Sequence, residues 1–191
     1  MGTIADTLLH TEATLPRIFF RYDLEFTYHA HAMSKRFIRE FGFDETSFSG
    51  IVDGRLYYDF LVNKQHDIRY ERLALNQDIL WRARTEPPDM EFLERMEREL
   101  GVDTLWRLRD AERWIPHYTH TQVLSAMTLV LKYLEREFAE HRPDAVFGFT
   151  TATMYGLACF FMAHRFGIPC FEMTNTRLRE RYVIEDQAAG A

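Results

Sequence analysis

Apolar runs and amphipathic stretches alternate from the start of this chain. The run at 17–22 (RIFFRY) predicts a strand, because short apolar runs of this length are typical of strands. Over 25–41, apolar residues recur at the spacing of one helix face, and Gly42 follows as a C-terminal stop. The beginning of the chain therefore predicts a strand and a helix that open a parallel sheet.

A hairpin is predicted next, around the dipeptide Asp53-Gly54. This dipeptide favours a two-residue turn, in which both positions adopt positive φ. The β-rich runs at 50–52 and 55–62 would then be the arms of a β-hairpin. Residues 66–84 are ambiguous, since IRYERLAL could be a strand and LNQDILWRAR a helix.

Helical periodicity dominates residues 86–140 and predicts a helical insertion. Asp89 can cap one helix and Asp103 a second, shorter one. Thr119 and Gln122 fit a capping box at the start of a long helix. The regular apolar face of that long helix makes it the most strongly patterned element of the chain.

The last third of the chain alternates strand, helix and strand. The apolar run at 145–149 (AVFGF) predicts a strand buried on both faces, an apolar helix covers 154–166, and 168–173 (IPCFEM) predicts a second buried strand. This order indicates two adjacent parallel strands with a right-handed crossover. We therefore expect residues 1–191 to form a single α/β domain, with an exposed charged tail from about 178 to 191.

Composition and charge exclude several classes of protein. Hydrophobic residues make up 47% and charged residues 27%, which is typical of a folded domain rather than a disordered chain. The net charge of -6 leaves no global basic field that would attract nucleic acid. Cys159 and Cys170 lie in apolar segments, so they predict neither a disulfide scaffold nor a CxxC site, and they favour a reducing, cytoplasmic compartment.

Residues 145–163 carry no charge and raise the question of a membrane span. Glycines and threonines interrupt them, whereas a spanning helix needs about 20 predominantly apolar residues. We therefore interpret them as a strand, a loop and a helix. A peripheral contact at the inner face of the membrane stays open.

Polar side chains stand at three predicted strand ends. They are Asp23 and His29 after the first strand, Thr150, Thr151 and Thr153 after the second, and Glu172, Asn175 and Arg177 at the end of the third. Because the carboxyl ends of parallel strands meet at one edge of a sheet, we expect these side chains to converge in one cleft. Hydroxyl, amide, carboxylate and guanidinium groups suit sugar hydroxyls or phosphate, and Arg177 would bind an anionic group.

Each of these side chains also has a structural interpretation. The three threonines are typical helix caps, and Glu172 could pair with Arg177, which could itself belong to the exposed tail. His29 and His31 lie two positions apart and cannot share a helix face, which disfavours a two-histidine metal site. The motifs GxGxxG, GxxxxGK(S/T), HExxH and GxSxG are missing, and we predict neither a metal nor a cofactor.

A family resemblance sharpens this picture. The stretch RPDAVFGFTTATMYGLACFFMAHRFGIPCFEMT resembles the closing βαβ unit of the N-terminal, Rossmann-like domain of GT-B glycosyltransferases. In that family a helix leads into a PD-V--G strand, and GIP opens the next one. The preceding helical stretch is similar to bacterial proteins of surface or capsular polysaccharide biosynthesis. The resemblance covers roughly residues 90–178, and other Rossmann-like domains share its motif.

The resemblance implies transfer of a sugar from a nucleotide-sugar donor to a cell-surface polysaccharide acceptor. The N-terminal domain of the family holds the glycan acceptor, and in inverting enzymes it tends to supply the base. Asp23 and His29 fall in that region by their order along the chain. The nucleotide sugar binds a second Rossmann-like domain, for which 191 residues leave no room, so we expect a truncated enzyme that is inactive without that domain or a partner chain.

Two other functions stay open. The chain could be a non-catalytic α/β module that binds a glycan or a protein, or a fragment similar to a nucleotide-sugar epimerase. Aromatic residues make up 15% of the chain, more than a half-enzyme should expose. We therefore expect either self-association, as in a homo-oligomer, or an exposed apolar patch where another domain docks.

Overall fold

Parallel strands form the centre of the structure. The structure is a computed structural model and describes residues 15–70, 72–113, 115–149, 153–175 and 182–186. In these ranges the strands are β1 (Ile18–Tyr22), β2 (Phe48–Val52), β3 (Arg72–Leu75), β4 (Ala145–Gly148), β5 (Cys170–Asn175) and β6 (Tyr182–Asp186). They form one sheet in the order β3-β2-β1-β4-β5-β6, with β1 to β5 parallel and β6 antiparallel to β5. This order is that of a Rossmann-like α/β fold, as predicted.

Helices cover both faces of the sheet. Those of the described residues are α1 (Phe26–Phe41), α2 (Arg55–Asp59), α3 (Asn76–Arg82), α4 (Met90–Leu100), α5 (Trp106–Ala111), α6 (His120–His141) and α7 (Met154–Phe166). Successive side chains of β1 point to opposite faces of the sheet and enter different cores. Phe19 packs with residues of α6 and α7, whereas Phe20 packs with Phe26 of α1. The sheet is therefore the shared wall of two hydrophobic cores.

Several helix boundaries follow the sequence signals. The Asp89 carboxylate accepts a hydrogen bond from the Phe92 N–H at 3.0 Å and caps α4, and Thr119 and Gln122 form the predicted capping box of α6. The cap predicted at Asp103 is wrong. α5 begins at Trp106, and the Trp106 N–H donates a hydrogen bond to the Thr104 hydroxyl at 3.2 Å.

The predicted β-hairpin is wrong. Gly54 has φ -124° and ψ 150°, so the dipeptide makes no positive-φ turn, and Gly54 instead precedes the first residue of α2. The residues 55–62, expected as a hairpin arm, form α2 and part of the π-helical turn Phe60–Lys64. The Asp53 N–H donates to the Tyr22 carbonyl oxygen at 3.1 Å, which continues the parallel pairing of β2 with β1.

The predicted helical insertion is the connection between β3 and β4. Its longest helix, α6, lies against the sheet, where the Phe138 ring packs edge-on to Phe19 at 5.1 Å between centroids. β4, α7 and β5 form the predicted parallel βαβ unit. Part of the expected exposed tail, Tyr182–Asp186, adds strand β6 to the edge of the sheet.

Gly50 tests the close packing at the centre of the sheet. A Cβ atom at this position would collide with the Phe20 carbonyl oxygen and lie 2.6 Å from the Tyr22 ring. Because a backbone oxygen cannot move aside, Gly50→Ala should lower the free energy of unfolding by about 2–3 kcal/mol. Gly54→Ala is the matched control, since its Cβ would meet nothing closer than 3.5 Å and should change stability by less than about 1 kcal/mol. Urea denaturation of both variants measures the difference, and equal stabilities would contradict this packing.

Candidate functional site

A cleft of about 400 Å³ opens where β1, β2 and β3 end at the carboxyl edge of the sheet. Its lining includes one carboxylate, Asp53, the side-chain amides of Asn76 and Gln77, and the aromatic rings of Trp81 and Tyr118. The carboxyl edge is where open α/β sheets bind their ligands. The cleft is therefore the candidate binding site.

Asp53 is the carboxylate that lines this cleft. It follows β2 directly and is 7% exposed. Burial and the nearby carboxylate of Asp23 raise the pKa of Asp53 to about 6, although a hydrogen bond from Asn76 acts in the opposite direction. This bond is long, 3.5 Å from Asn76 Nδ2 to Asp53 Oδ1. Asp53 thus receives one weak hydrogen bond from the described residues, and its carboxyl group gains or loses its proton close to neutral pH.

Asn76 stands beside Asp53 at the end of β3. It is the first residue of α3 and is 1% exposed. Its Oδ1 atom is buried and receives no hydrogen bond from the described residues. A buried amide oxygen without a donor is uncommon in proteins and is satisfied in many sites by a ligand or a water molecule. Asn76 therefore lines the cleft with a side chain whose buried amide oxygen has no donor among the described residues.

Backbone contacts position the other polar groups. The Gln77 Oε1 atom accepts a hydrogen bond from the Arg55 N–H at 3.2 Å, which ties α3 to the start of α2. The Tyr118 hydroxyl donates to the Leu80 carbonyl oxygen at 2.6 Å and fixes its ring at one wall. These bonds hold the walls in place around Asp53.

Trp81 gives the cleft an exposed aromatic surface. Its side chain is 68% exposed, and the Arg84 guanidinium lies 4.6 Å from the centroid of its ring. Buried Ile115 adds an apolar surface to the lining. An indole beside polar acceptors suits a ligand with both an apolar face and hydrogen-bond donors, as a sugar ring has.

A buried charge network lies next to the cleft, between β1, β4 and α7. The Arg21 Nη2 atom lies 3.8 Å from Asp23 Oδ2 and 3.5 Å from Glu172 Oε1, and Nη1 donates to the Gly156 carbonyl oxygen at 3.0 Å. Burial acts to lower the pKa of Arg21, but the carboxylates of Asp23 and Glu172 contribute to a net rise. Gly148 makes room for this guanidinium, because a Cβ atom there would collide with it.

Asp23, predicted as a catalytic base, is engaged in this network. It is 5% exposed, and its carboxylate accepts hydrogen bonds from the Phe149 N–H at 3.1 Å and from the Tyr155 hydroxyl. These contacts tie the end of β1 to the end of β4 and to α7. Because these donors and Arg21 already engage its carboxylate, the geometry gives Asp23 a positioning role.

A carboxylate of the chain itself occupies the N-terminus of α7. The Glu112 Oε2 atom accepts a hydrogen bond from the Met154 N–H at 3.1 Å, and the Thr153 hydroxyl accepts one from the Gly156 N–H at 3.1 Å. Helix N-termini bind anions through such N–H groups. Because Glu112 and Thr153 use two of them, this end of α7 is a poor site for a phosphate.

The other predicted site residues lie in structural contacts, away from the cleft or outside the described residues. Thr153 is the N-cap of α7, and Glu172 pairs with Arg21, so both have structural contacts near the edge where they were expected. His29 is exposed on α1 and is not among the described residues that line the cleft. Thr150, Thr151 and Arg177, together with the side chain of Asn175, lie outside the described residues.

Sequence reasoning missed Asp53 and Asn76. Asp53 was assigned to a hairpin turn because a glycine follows it, although the five residues before it, FSGIV, form a strand that is buried throughout. A fully buried strand is typical of a parallel sheet, and a polar residue directly after it marks the functional edge. Asn76 follows IRYERLAL, which the sequence marks only as a possible strand, so no strand end was predicted there.

In the described ranges of the chain, no three His, Cys, Asp or Glu side chains come together as a group that could hold a metal ion. None of the helices in these ranges combines the length and the apolar character that crossing a membrane requires.

The raised pKa of Asp53 predicts that the free energy of unfolding depends on pH. The folded protein favours the neutral carboxyl, so the contribution of Asp53 is complete below about pH 4 and is lost as pH rises through about 6. Asn at this position stays neutral and can still accept from Asn76. Asp53→Asn should therefore raise the free energy of unfolding by about 2 kcal/mol at pH 8 and by little at pH 4.

Asp110→Asn is the control for this measurement, because Asp110 is an exposed carboxylate on α5. It should change the free energy of unfolding by less than about 0.5 kcal/mol at either pH. Urea titrations at the two pH values make the comparison. An Asp53→Asn variant that is less stable than the parent at pH 8 would contradict the raised pKa.

Comparisons of the chain with models of protein families, with curated proteins and with solved structures found no match. The distinctive chemistry of the chain lies in its cleft, in Asp53, Asn76 and the aromatic rings of Trp81 and Tyr118.

Proposed function

We propose that the chain is the acceptor-side domain of a GT-B-like glycosyltransferase that adds a sugar to a cell-surface polysaccharide, and that the cleft binds the acceptor. The observation that carries this proposal is the buried Asp53 carboxylate, with its pKa near 6, in a cleft with amide and indole groups. The Rossmann-like fold and the sequence resemblance of the last βαβ unit support it.

Asp53 is the general base of the proposed reaction. It takes the proton from an acceptor hydroxyl as the oxygen attacks the anomeric carbon of the donor, and the bond to the nucleotide phosphate breaks with its electron pair on that phosphate. At pH 7 a carboxyl with a pKa of about 6 is mostly ionised, yet it is a stronger base than an ordinary aspartate. Asp53 replaces Asp23 and His29 in this role.

The charge of the edge favours an acceptor over a nucleotide. The link between β1 and α1 carries Asp23 and Glu25 where dinucleotide-binding folds place glycines, and Glu112 occupies the N-terminus of α7. Both features repel a pyrophosphate. They argue against a fragment similar to a nucleotide-sugar epimerase, and they suit a domain whose donor arrives on a second domain or a partner chain.

Exposed apolar side chains near the cleft fit such a docking partner. Leu24 belongs to the cleft lining and is exposed, and the exposed Tyr28 ring lies 4.7 Å from that of Phe60. A domain or chain that covers this surface would bring the donor to the acceptor. We place the reaction in the cytoplasm, at the inner face of the membrane.

Binding measurements on the chain test the proposal first. Fragments of bacterial surface polysaccharide should shift the indole N–H signal of Trp81 in NMR spectra, whereas a nucleoside diphosphate should not. Trp81→Ala removes the exposed face and should weaken glycan binding about tenfold with little change in stability. Binding of the nucleotide without binding of any glycan would contradict an acceptor site.

Activity tests the base in the full-length enzyme or in a reconstituted complex with the donor domain. Asp53→Asn should lower kcat by about 10²–10⁴-fold while the folded state becomes more stable at pH 8. Asp110→Asn should keep full activity. Transfer at the parent rate by Asp53→Asn would remove Asp53 from the reaction, and glycan binding without transfer would leave a non-catalytic glycan-binding module.

A further inference from the structure

We infer that the cleft selects an acidic acceptor, a sugar whose carboxylate pairs with the Arg84 guanidinium, as the carboxylate of a hexuronic acid can. The inference rests on the proposed function in taking the cleft as the acceptor site. It goes further in naming the charged group that the acceptor carries, and it leaves Asp53 available as the base.

Arg84 is held beside the cleft, two residues after the end of α3. Its backbone N–H donates to the Trp81 carbonyl oxygen at 3.2 Å, and its own carbonyl oxygen accepts from Gln122 Nε2 at 3.4 Å. Its guanidinium lies over the Trp81 ring, 4.6 Å from the centroid. Because backbone and side chain are both fixed, little conformational entropy is lost when this cation binds a ligand.

The Arg84 guanidinium keeps its capacity to bind an anion. It makes no hydrogen bond and no ion pair with the described residues, and a contact with the face of a ring supplies no acceptor oxygen to its N–H groups. The arginines around it differ in this respect. Arg82 pairs with Glu86 at 2.6 Å, and Arg55 pairs with Asp78 at 2.8 Å.

The charge of Arg84 acts inside the cleft, at the Tyr118 hydroxyl. Burial raises the pKa of Tyr118, whereas Arg84 acts to lower it, and more strongly than the carboxylate of Glu112 acts to raise it. That carboxylate also accepts a hydrogen bond from the Met154 N–H at 3.1 Å. At this end of the cleft the charged groups together therefore act as a cation, which favours an anionic ligand group.

A carboxylate suits this place better than a phosphate. The planar fork of a guanidinium matches the two oxygens of a carboxylate, and one positive charge balances one negative charge. None of the described residues that line the cleft is basic, and Asp53 adds a carboxylate of its own. A phosphate monoester carries more negative charge than Arg84 alone compensates, and the excess would be repelled by Asp53.

A hexuronic acid can use all parts of the cleft at once. The Trp81 side chain is 68% exposed even with the guanidinium against it, so a sugar ring can pack on the indole. The carboxylate of a hexuronic acid is bonded directly to the ring and can pair with Arg84 beside that indole. A ring hydroxyl then serves as the donor to Asp53, which takes the proton in the proposed reaction.

The test compares glucuronate, galacturonate and mannuronate, each with its neutral parent hexose. The sugars are titrated into the chain at pH 7.0, and the Trp81 indole N–H signal is followed by NMR. At least one hexuronate should bind about tenfold more tightly than its parent hexose. Arg84→Gln should remove this preference and change the melting temperature by less than about 3 °C, since the side chain is exposed.

Arg82→Gln is the matched control variant. It removes the same charge two residues away, but the Arg82 guanidinium pairs with Glu86 and not with Trp81, so the preference should be kept. Asp53→Asn should also keep the preference, because it leaves Arg84 in place. Loss of the preference in both arginine variants would assign it to long-range charge and overturn a direct pairing with Arg84.

The remaining outcomes separate the carboxylate from other anions and from the proposed function. Tighter binding of glucose 6-phosphate than of glucuronate would overturn the carboxylate in favour of a phosphate. Equal binding of hexuronates and hexoses, lost in Trp81→Ala, would overturn the acidic acceptor and leave the acceptor site standing. A preference for a hexuronate without transfer in the reconstituted enzyme would keep the acidic ligand and overturn the transferase. Failure of every sugar to shift the Trp81 signal would overturn the inference.

Discussion

The buried Arg21 guanidinium is the interaction on which the functional edge of this protein depends. It lies against Gly148 of β4 and reaches Asp23, Glu172 and the Gly156 carbonyl oxygen, so one side chain joins β1, β5 and α7. Removing one partner from a buried ion pair leaves an uncompensated charge, which is strongly destabilising. The network therefore holds the strand ends at fixed positions beside the cleft.

The carboxylates near the cleft have different roles in this arrangement. Asp23 and Glu172 are held by donors and by Arg21, and Glu112 caps α7, so all three have structural contacts. Asp53 receives only a long hydrogen bond from the described residues, and burial, together with the negative charges around it, makes its ionised form costly. A single carboxylate is thereby left both basic and accessible to a ligand, which is what proton transfer requires.

Local sequence signals predicted most of the fold. The signals that worked are the capping box of α6, the glycines that end helices and the apolar runs of β4 and β5. Each depends on contacts within a few residues, so it can be read from the sequence without knowledge of the tertiary structure. The hairpin failed because Asp53-Gly54 has the same local preference in a turn as between a strand and a helix, and only the parallel pairing of β2 with β1 decides between them.

The candidate site was harder to predict, because it depends on contacts between distant segments. Asp23 and Glu172, expected to line a cleft, instead pair with Arg21, and no spacing in the sequence reveals these structural contacts. Asn76 and Trp81 come from a segment whose secondary structure the sequence left open. The raised pKa of Asp53 likewise arises first from burial and then from the charges of Asp23, after β1, and Glu112, after α5, which lie far away along the chain.

The most direct measurement of this account is the pKa of Asp53 itself. The side-chain carboxyl carbon, labelled with ¹³C, can be followed by NMR from pH 3 to pH 9, with Asp53→Asn used to assign the signal. The account predicts a midpoint at about pH 6. A midpoint near 3.9, the ordinary value for aspartate, would show that the carboxylate is well solvated or paired, and it would contradict the central claim.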